Sequence, residues 1–307
     1  MAFLRLLEGL RNPICDSLMN AVTLMGDETV FLVVCLIVFW CVCKQEGYFL
    51  LAAGLGGTIA NQWLKIALRV PRPWVVDETF TIVEKARAGA AGYSFPSSHS
   101  QNAVSTFGGI ALWTKRRAVR VIGIALAILV CFSRMYLGVL TPLDVGVGAL
   151  CAVVMIFALR PLMKKADPRV NRILLCVMFG LSLAFALYIT LASFPADIDP
   201  ENFAEAVKNA HTLLGCSAGF LIVHELDARY IRFDTRAVWW AQVLKTALGL
   251  GLVLALRVGL KPAVTALLGA SPWASAVRYF ILVLFAGGVW PLTFRFFGRL
   301  GKNDKDQ

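Results

Sequence analysis

Long apolar runs separated by short polar segments dominate the chain from residue 29 onward. Their apolar residues are continuous, rather than spaced along one helix face as in a surface helix of a soluble domain. Many approach the roughly 20 residues that a helix needs to cross a hydrocarbon core. The pattern predicts an all-α polytopic membrane bundle of about nine transmembrane helices. They cover residues 29–43, 47–68, 98–114, 119–137, 140–160, 171–193, 211–224, 237–257 and 276–294.

The N-terminal segment before these runs has a different pattern. Apolar residues recur near helical spacing, with charged residues between them, which is typical of a helix that lies in the membrane interface. It contains no uninterrupted apolar stretch followed by a small-residue cleavage site, so no removable signal peptide is expected. The apolar positions are Phe3, Leu4, Leu7, Leu10, Ile14 and Leu18, and the charged ones are Arg5, Glu8, Arg11 and Asp16.

Composition supports a membrane protein and excludes other classes. The chain of 307 residues is 58% hydrophobic and 16% charged, far more apolar than an ordinary soluble domain. Its net charge of +11 comes from clusters between apolar runs and not from a basic face with interleaved aromatic residues, so no nucleic acid partner is expected. Membrane lipids are its expected surroundings, and the oligomeric state stays open.

The eight cysteines do not form the spacing of a zinc site or a redox pair. Those within apolar runs are interpreted as small packing residues. No metal and no cofactor are therefore predicted. These packing residues are Cys35, Cys41, Cys43, Cys131, Cys151, Cys176 and Cys216.

The charges between the runs predict the orientation, because basic residues accumulate on the cytoplasmic side. The opposite side carries the acidic segment of Asp197, Asp199, Glu201 and Glu205. We therefore expect the N-terminus outside and the C-terminus in the cytoplasm. The predicted cytoplasmic charges are Lys44, Lys115, Arg116, Arg117, Arg120, Arg160, Lys164, Lys165, Arg169, Arg172, Arg229, Arg232, Arg236, Arg295, Arg299, Lys302 and Lys305.

Three cations mark the outer end of the second run. Lys65, Arg69 and Arg72 follow at intervals of four and three, so a continuing helix would place them on one face. Pro71 and Pro73 end such a helix locally. The cations either bind an anion or anchor the helix by reaching toward lipid headgroups.

A second polar segment runs from Tyr93 to His99 and precedes a new apolar helix. Ser97 and Ser98 fall where the N-cap and first turn should be, and free backbone N–H groups there form an anion site. His99 in the first turn could donate a proton to a bound phosphate ester. The alternative is a structural histidine.

A third segment places Arg134 and Asp144 in otherwise apolar sequence. Charges within a membrane are costly and are functional by default, although these two could also form a structural ion pair. Asp144 follows Leu140 by four residues, one helical turn, so its carboxylate would be placed to orient a side chain at position 140.

Together the three segments resemble the signature of the type 2 phosphatidic acid phosphatase superfamily. The resemblance rests on Lys65 with Arg72-Pro73, on Pro96-Ser-Ser-His99, and on Ser133-Arg134 with Asp144. It implies a helical core over residues 1–193 and additional transmembrane helices over residues 194–307. The nine predicted spans of this chain resemble the layout of glucose-6-phosphatase and of the sphingosine-1-phosphate phosphatases.

The resemblance implies hydrolysis of a lipid phosphate or pyrophosphate outside the cytoplasm, without metal or cofactor. Basic residues and helix amides would hold the phosphoryl oxygens and stabilise the transition state. His99 would protonate the leaving group, while a histidine oriented by Asp144 attacks phosphorus. The implied phosphate-binding residues are Lys65, Arg72, Ser97, Ser98 and Arg134, with Arg69 as a possible further contact.

The nucleophile position of the resembled signature falls on Leu140, with Asp144 and His99 as the other catalytic positions. Leucine has neither a lone pair nor a proton to transfer, so hydrolysis through a phosphohistidine should be lost. Two alternatives to a disabled phosphatase stay open, namely a non-catalytic protein that binds lipid phosphate and a transporter of a phosphorylated solute. The outer loop 74–97 links the first two motif segments and is expected to act as a specificity lid.

Overall fold

The computed structural model describes residues 1–165, 167–195 and 198–300. These residues contain helices and connecting segments and no strand, which confirms the predicted all-α class. Three charges of the orientation pattern, Asp197, Lys302 and Lys305, lie outside the described residues.

The described chain begins with α1 (Ala2–Gly9), α2 (Pro13–Leu24) and α3 (Glu28–Ile37), followed by a π-helical turn (Val38–Val42). Next come α4 (Lys44–Leu68), α5 (Pro73–Val76), a 3-10 turn (Glu84–Ala86), α6 (Ser98–Ala103), a π-helical turn (Val104–Gly108) and α7 (Gly109–Trp113). The long helices α8 (Arg117–Tyr136), α9 (Pro142–Met163), α10 (Pro168–Leu191) and α11 (Pro200–Leu226) follow, and a π-helical turn (Asp227–Ile231) extends α11. The remaining elements are α12 (Trp239–Leu268), α13 (Trp273–Leu284), a π-helical turn (Phe285–Val289), a 3-10 turn (Trp290–Thr293) and α14 (Phe294–Phe297).

Six stretches of the described chain are helical, long and apolar enough to cross a membrane, and a seventh is added if α2 and α3, bent by 50°, form one span. The predicted count of nine is therefore not confirmed. Helix α4 matches the second predicted run in position but is not one of these six stretches, because residues such as Asn61 and Gln62 lower its mean hydropathy. The third run is divided among α6, a π-helical turn and α7, and neither helix alone is long enough.

The N-terminal segment forms two helices where one was expected. The break lies before Pro13, which occupies the first turn of α2, and the Asn12 side chain caps this helix by accepting a hydrogen bond from the Cys15 amide at 3.0 Å. Proline at this position lacks an N–H that would have no intrahelical partner anyway. Phe3, Leu10 and Ile14 are exposed, and their location in the membrane interface stays a prediction.

The contacts divide the chain into two compact units that are discontinuous in sequence. Unit 1 contains residues 1–34, 50–161 and 192–206, and unit 2 contains residues 35–49, 162–191 and the part from Val207 onward. All three motif segments lie in unit 1. The predicted boundary after residue 193 between a family core and additional helices stays a prediction.

Unit 1 is organised around α8, against which α2, α6, α7 and the π-helical turn Val104–Gly108 pack. Ala103, Phe107, Ala127 and Val130 form a buried cluster between these elements. Burial of apolar surface contributes roughly 25 cal/mol per Å², so this packing fixes the C-terminal end of α8 close to the start of α6. Two of the motif segments lie at those two helix ends.

Unit 2 contains buried and partly buried carboxylates paired with cations. Asp227 forms an ion pair with Lys44, with 3.0 Å between the carboxylate and the ammonium. The Tyr48 hydroxyl donates to the same carboxylate at 3.3 Å. Glu225 accepts two hydrogen bonds from Arg172, at 2.6 and 2.8 Å. Lys245 differs, because its ammonium donates to the backbone carbonyl of Trp40 at 2.9 Å and lies 4.4 Å from the ring centroid of Phe294.

Candidate functional site

Lys65 and Arg72 of the first motif segment are brought together by a turn. Helix α4 ends at Leu68, and Arg69 adopts a left-handed backbone conformation with φ of 49°. The helix thus ends before Pro71, as the prolines predicted, and the three cations do not share one helix face. Lys65 and Arg72 are both buried at 8% exposure. The Arg69 amide donates to the Lys65 carbonyl at 2.9 Å and closes the end of α4.

The start of α6 confirms the predicted N-cap. The Ser97 hydroxyl accepts a hydrogen bond from the Ser100 amide at 3.1 Å, and Ser98 is the first helical residue. The Ser97 amide, which was expected to bind phosphate, instead donates to the carbonyl of Asp144 at 2.9 Å. The Ser98 hydroxyl donates to the side-chain oxygen of the buried Asn61 at 3.1 Å. This turn is thus tied to both α4 and α9.

Arg134 lies at the C-terminal end of α8 and is 2% exposed. Its Nη1 donates to the Thr23 hydroxyl at 3.0 Å and its Nη2 to the carbonyl of Gly89 at 3.3 Å. Its buried Nε has no hydrogen-bond partner among the described residues. No ion pair joins Arg134 to Asp144 there, which disfavours the structural pair considered from the sequence. Arg134 retains an unused donor.

His99 lies in the first turn of α6, next to the segment that Arg134 contacts. A Cβ atom built on Gly89 would lie 4.0 Å from His99 Nε2, and the carbonyl of the same Gly89 accepts the hydrogen bond from Arg134. The imidazole and the guanidinium therefore converge on one residue. A group that binds Arg134 at this point would be within reach of the proton of His99.

Backbone carbonyls surround the two cations of the first segment. Arg72 donates from Nε to Gly92 at 3.0 Å, from Nη2 to Ala91 at 2.8 Å and from Nη1 to Val139 at 3.2 Å. The Lys65 ammonium donates to Tyr93 at 2.5 Å. Carbonyl oxygens supply hydrogen bonds but no full negative charge, so these contacts provide neither group with a counter-ion.

Burial lowers the pKa of Arg72 to about 10, and the nearby Asp144 carboxylate opposes that shift. The guanidinium is therefore still charged at neutral pH. With Lys65, Arg134 and Asp144, the cluster combines three cations with one carboxylate, and its charge suits a doubly negative phosphoryl group.

Asp144 caps α9 and connects the second and third motif segments. Its Oδ2 accepts hydrogen bonds from the Thr141 amide at 2.7 Å and from the Ser94 hydroxyl at 2.6 Å, while its own amide donates to the Thr141 hydroxyl at 3.2 Å. This is a reciprocal capping arrangement. Because α9 begins at Pro142, Leu140 precedes the helix, and the expected helical turn between Leu140 and Asp144 is wrong.

Leu140 is 2% exposed and belongs to an apolar cluster with Ala86, Ala90, Val139 and Val145. Position 140 is thus surrounded by apolar side chains.

Helix α9 approaches the second motif segment closely at Gly148, because a Cβ atom there would be 2.4 Å from the Ser97 carbonyl oxygen. Glycine at position 148 allows α9 to pack directly against the second motif segment.

Three polar residues of the site were missed by sequence reasoning. Asn61 lies one helical turn before Lys65, and its side chain also donates to the carbonyl of Pro96 at 3.3 Å, so its spacing from Lys65 was a usable signal. Ser94 lies inside the second segment, Tyr93 to His99, but was given no role there. Thr23 is far from every motif in sequence and had no signal. The described residues contain no group of three or more His, Cys, Asp or Glu side chains that could hold a metal ion.

Comparison with known families gives two matches. Residues 45–168, which contain all three motif segments, match the PAP2 superfamily. The chain therefore contains a PAP2 superfamily domain. Residues 211–303 match the transmembrane extension of PAP2 superfamily phosphatases. Comparison with curated proteins and with solved structures gives no match. Thr23, which contacts Arg134, precedes the matched domain.

Proposed function

We propose that the chain binds the phosphate or pyrophosphate group of a lipid in the cluster of Lys65, Arg72 and Arg134, and that hydrolysis is lost because Leu140 occupies the nucleophile position. The observation that carries the proposal is Arg134, a buried arginine with a donor that no described residue accepts. Leaving such a donor without an acceptor costs roughly 1–3 kcal/mol or more. A phosphoryl oxygen would remove that cost.

Each member of the cluster has a role in this proposal. Lys65 and Arg72 supply positive charge, and Arg134 offers Nε beside His99. In an active member of this phosphatase class, such groups stabilise the charge spread over the phosphoryl oxygens, and His99 protonates the leaving alkoxide. Asp144 holds the third segment against the second through Ser94 and would also accept a hydrogen bond from an imidazole at position 140.

A non-catalytic lipid-phosphate binding protein is the second candidate. It is favoured by the apolar cluster around Leu140, which suits leucine and offers a histidine few polar neighbours. In this case the function of the chain would be to bind a lipid phosphate, and leucine would be the residue that belongs at position 140.

Leu140→His distinguishes the two candidates. Loss of an essential nucleophile in a hydrolase costs on the order of a millionfold in turnover, so its return should produce measurable phosphate release from a panel of lipid phosphates and pyrophosphates. A carboxylate has about four acceptor positions, so Asp144 can receive the imidazole in addition to Thr141 and Ser94.

A second substitution in the Leu140→His chain provides a control. Adding His99→Ala to Leu140→His should abolish release from esters with poor leaving groups, since general acid catalysis contributes typically 10²–10⁴-fold. A folded Leu140→His chain that stays inert on every phosphate ester would contradict the disabled phosphatase and favour the binding protein. Normal turnover by the unmodified chain would show that Leu140 is not the nucleophile position.

A further inference from the structure

The short segment Gly89–Tyr93, which we call the carbonyl strap, contacts all three cations of the cluster. Gly89 and Ala91 in the strap are exposed, whereas the cations are buried. Four of its five backbone carbonyls accept hydrogen bonds from the cations. Gly89 accepts from Arg134, Ala91 and Gly92 accept from Arg72, and Tyr93 accepts from Lys65.

A phosphoryl group would bind the same three cations. All three nitrogens of Arg72 donate to carbonyls, two of them in the strap, and the Lys65 ammonium donates to a third strap carbonyl. A guanidinium has five N–H donors and an ammonium three, so the strap holds part of the donor set of each cation, and a phosphate ester competes with the strap for that part. We propose that the strap is a self-inhibitory gate that must leave the cluster before a phosphate ester binds. The inference rests on the proposed phosphate-binding function of the cluster.

The structure limits where such a gate can move. Before the strap, the Val83 amide donates to the Leu137 carbonyl at 3.1 Å, and Ala86 is buried in the apolar cluster. After it, the Ser94 amide donates to Val70 at 2.9 Å and the Ser94 hydroxyl donates to Asp144 at 2.6 Å. Both ends are thus anchored, and the movement is confined to residues 88–93.

The chemistry of the strap also predicts what opens it. Carbonyl oxygens are neutral acceptors, so their hydrogen bonds to the cations lack the attraction between opposite full charges that a phosphate dianion adds. A phosphate dianion can displace the strap, whereas an uncharged or zwitterionic headgroup gains much less from the exchange. The gate therefore selects for an anionic terminal phosphate.

Gly92 provides the variant that tests the gate. Its φ of +73° is a conformation that side-chain-bearing residues rarely adopt, and an added Cβ would meet only Glu205 Cγ, at 3.9 Å. Gly92→Ala should therefore strain the closed strap without blocking the site. If the closed strap limits binding, the population of open molecules rises and the affinity for inorganic phosphate should increase by about tenfold.

Equilibrium dialysis of the detergent-solubilised chain against radioactive phosphate measures this change. The matched control is Gly269→Ala, where glycine also has a positive φ, of +64°, but lies at the end of α12 with nothing within 4 Å of an added Cβ. Tighter binding by Gly92→Ala alone supports the gate. Unchanged or weaker binding by Gly92→Ala in a chain that binds phosphate overturns it. Absence of binding in all three chains overturns the proposed function itself.

Cysteine labelling tests the gate without straining the backbone. Ala90 is buried and Ala88 is exposed, so in a background without native cysteines Ala90→Cys should react slowly with a maleimide and Ala88→Cys quickly. Inorganic phosphate should accelerate labelling at position 90 and leave position 88 unchanged. Protection of position 90 by phosphate would mean that the strap closes over the ligand, and would overturn the proposed direction of movement.

Discussion

The two units differ in how they partner their charged side chains. In unit 2, Asp227 is paired with Lys44, and Glu225 is paired with Arg172 and Arg229. In unit 1, Arg72 and Lys65 donate to neutral carbonyls, and the carboxylate of Asp144 accepts from a hydroxyl and an amide. Paired charges cancel their own field, whereas cations held by carbonyls keep theirs. The difference supports the proposal that unit 1 binds an anion and gives the ion pairs of unit 2 a structural interpretation.

Lys245 sharpens this comparison, because it is a buried cation of unit 2 that also donates to carbonyls. Its ammonium lies 2.9 Å from the Trp40 oxygen and 3.2 Å from the Thr235 oxygen, with the Phe294 ring beside it. It is a single cation with an aromatic neighbour, whereas unit 1 groups three cations beside a histidine. Carbonyl contacts alone therefore do not define an anion site, and the grouping of cations does.

The largest expected effect comes from breaking the ion pair of unit 2. Asp227→Asn leaves Lys44 without its counter-charge and should lower the free energy of unfolding by on the order of 3 kcal/mol, the lower end of the range for a broken buried pair because Lys44 is partly exposed. Thermal unfolding in detergent measures the change, with the exposed Asp199→Asn as control. Phosphate affinity should not change in the folded variant, and a loss of affinity would contradict the structural interpretation.

Removing one cation from each unit should separate binding from structure. Charge-assisted hydrogen bonds contribute roughly 1.5–3 kcal/mol each, so Arg134→Ala should weaken the binding of vanadate or of a lipid phosphate by about tenfold or more. Lys245→Met removes a buried cation of unit 2 and should leave that affinity unchanged. Equal affinity of the unmodified chain and Arg134→Ala would exclude Arg134 from the site.

The sidedness of the membrane can be tested at three exposed positions. The contrast between basic and acidic loops predicts that residues 88 and 199 face outward and residue 165 faces the cytoplasm. In a background without native cysteines, Ala88→Cys and Asp199→Cys on intact cells should react with a membrane-impermeant maleimide, and Lys165→Cys should not. All three positions are exposed, so burial does not explain a difference. Labelling of Lys165→Cys alone would reverse the predicted orientation.

The sequence by itself determined the class of protein and most residues of the site. Continuous apolar runs predicted the helices, because a chain in hydrocarbon must satisfy its backbone hydrogen bonds within each helix. The spacing of Lys65 and Arg72, the serines before His99, and the intramembrane Arg134 and Asp144 indicated the motif segments. Ser97 was correctly placed at the start of α6, since N-caps depend on local backbone geometry.

The tertiary structure decided how these residues are used. Thr23 on α2 reaches Arg134, and the Gly89 carbonyl joins Arg134 to the neighbourhood of His99. The Ser97 amide is taken by the Asp144 carbonyl. These contacts join residues distant in the chain, and a backbone carbonyl carries no side-chain signature that a sequence could display. Local pattern therefore predicted which groups carry charge, and only the packing of α2, α6, α8 and α9 decided which of their donors are already bound.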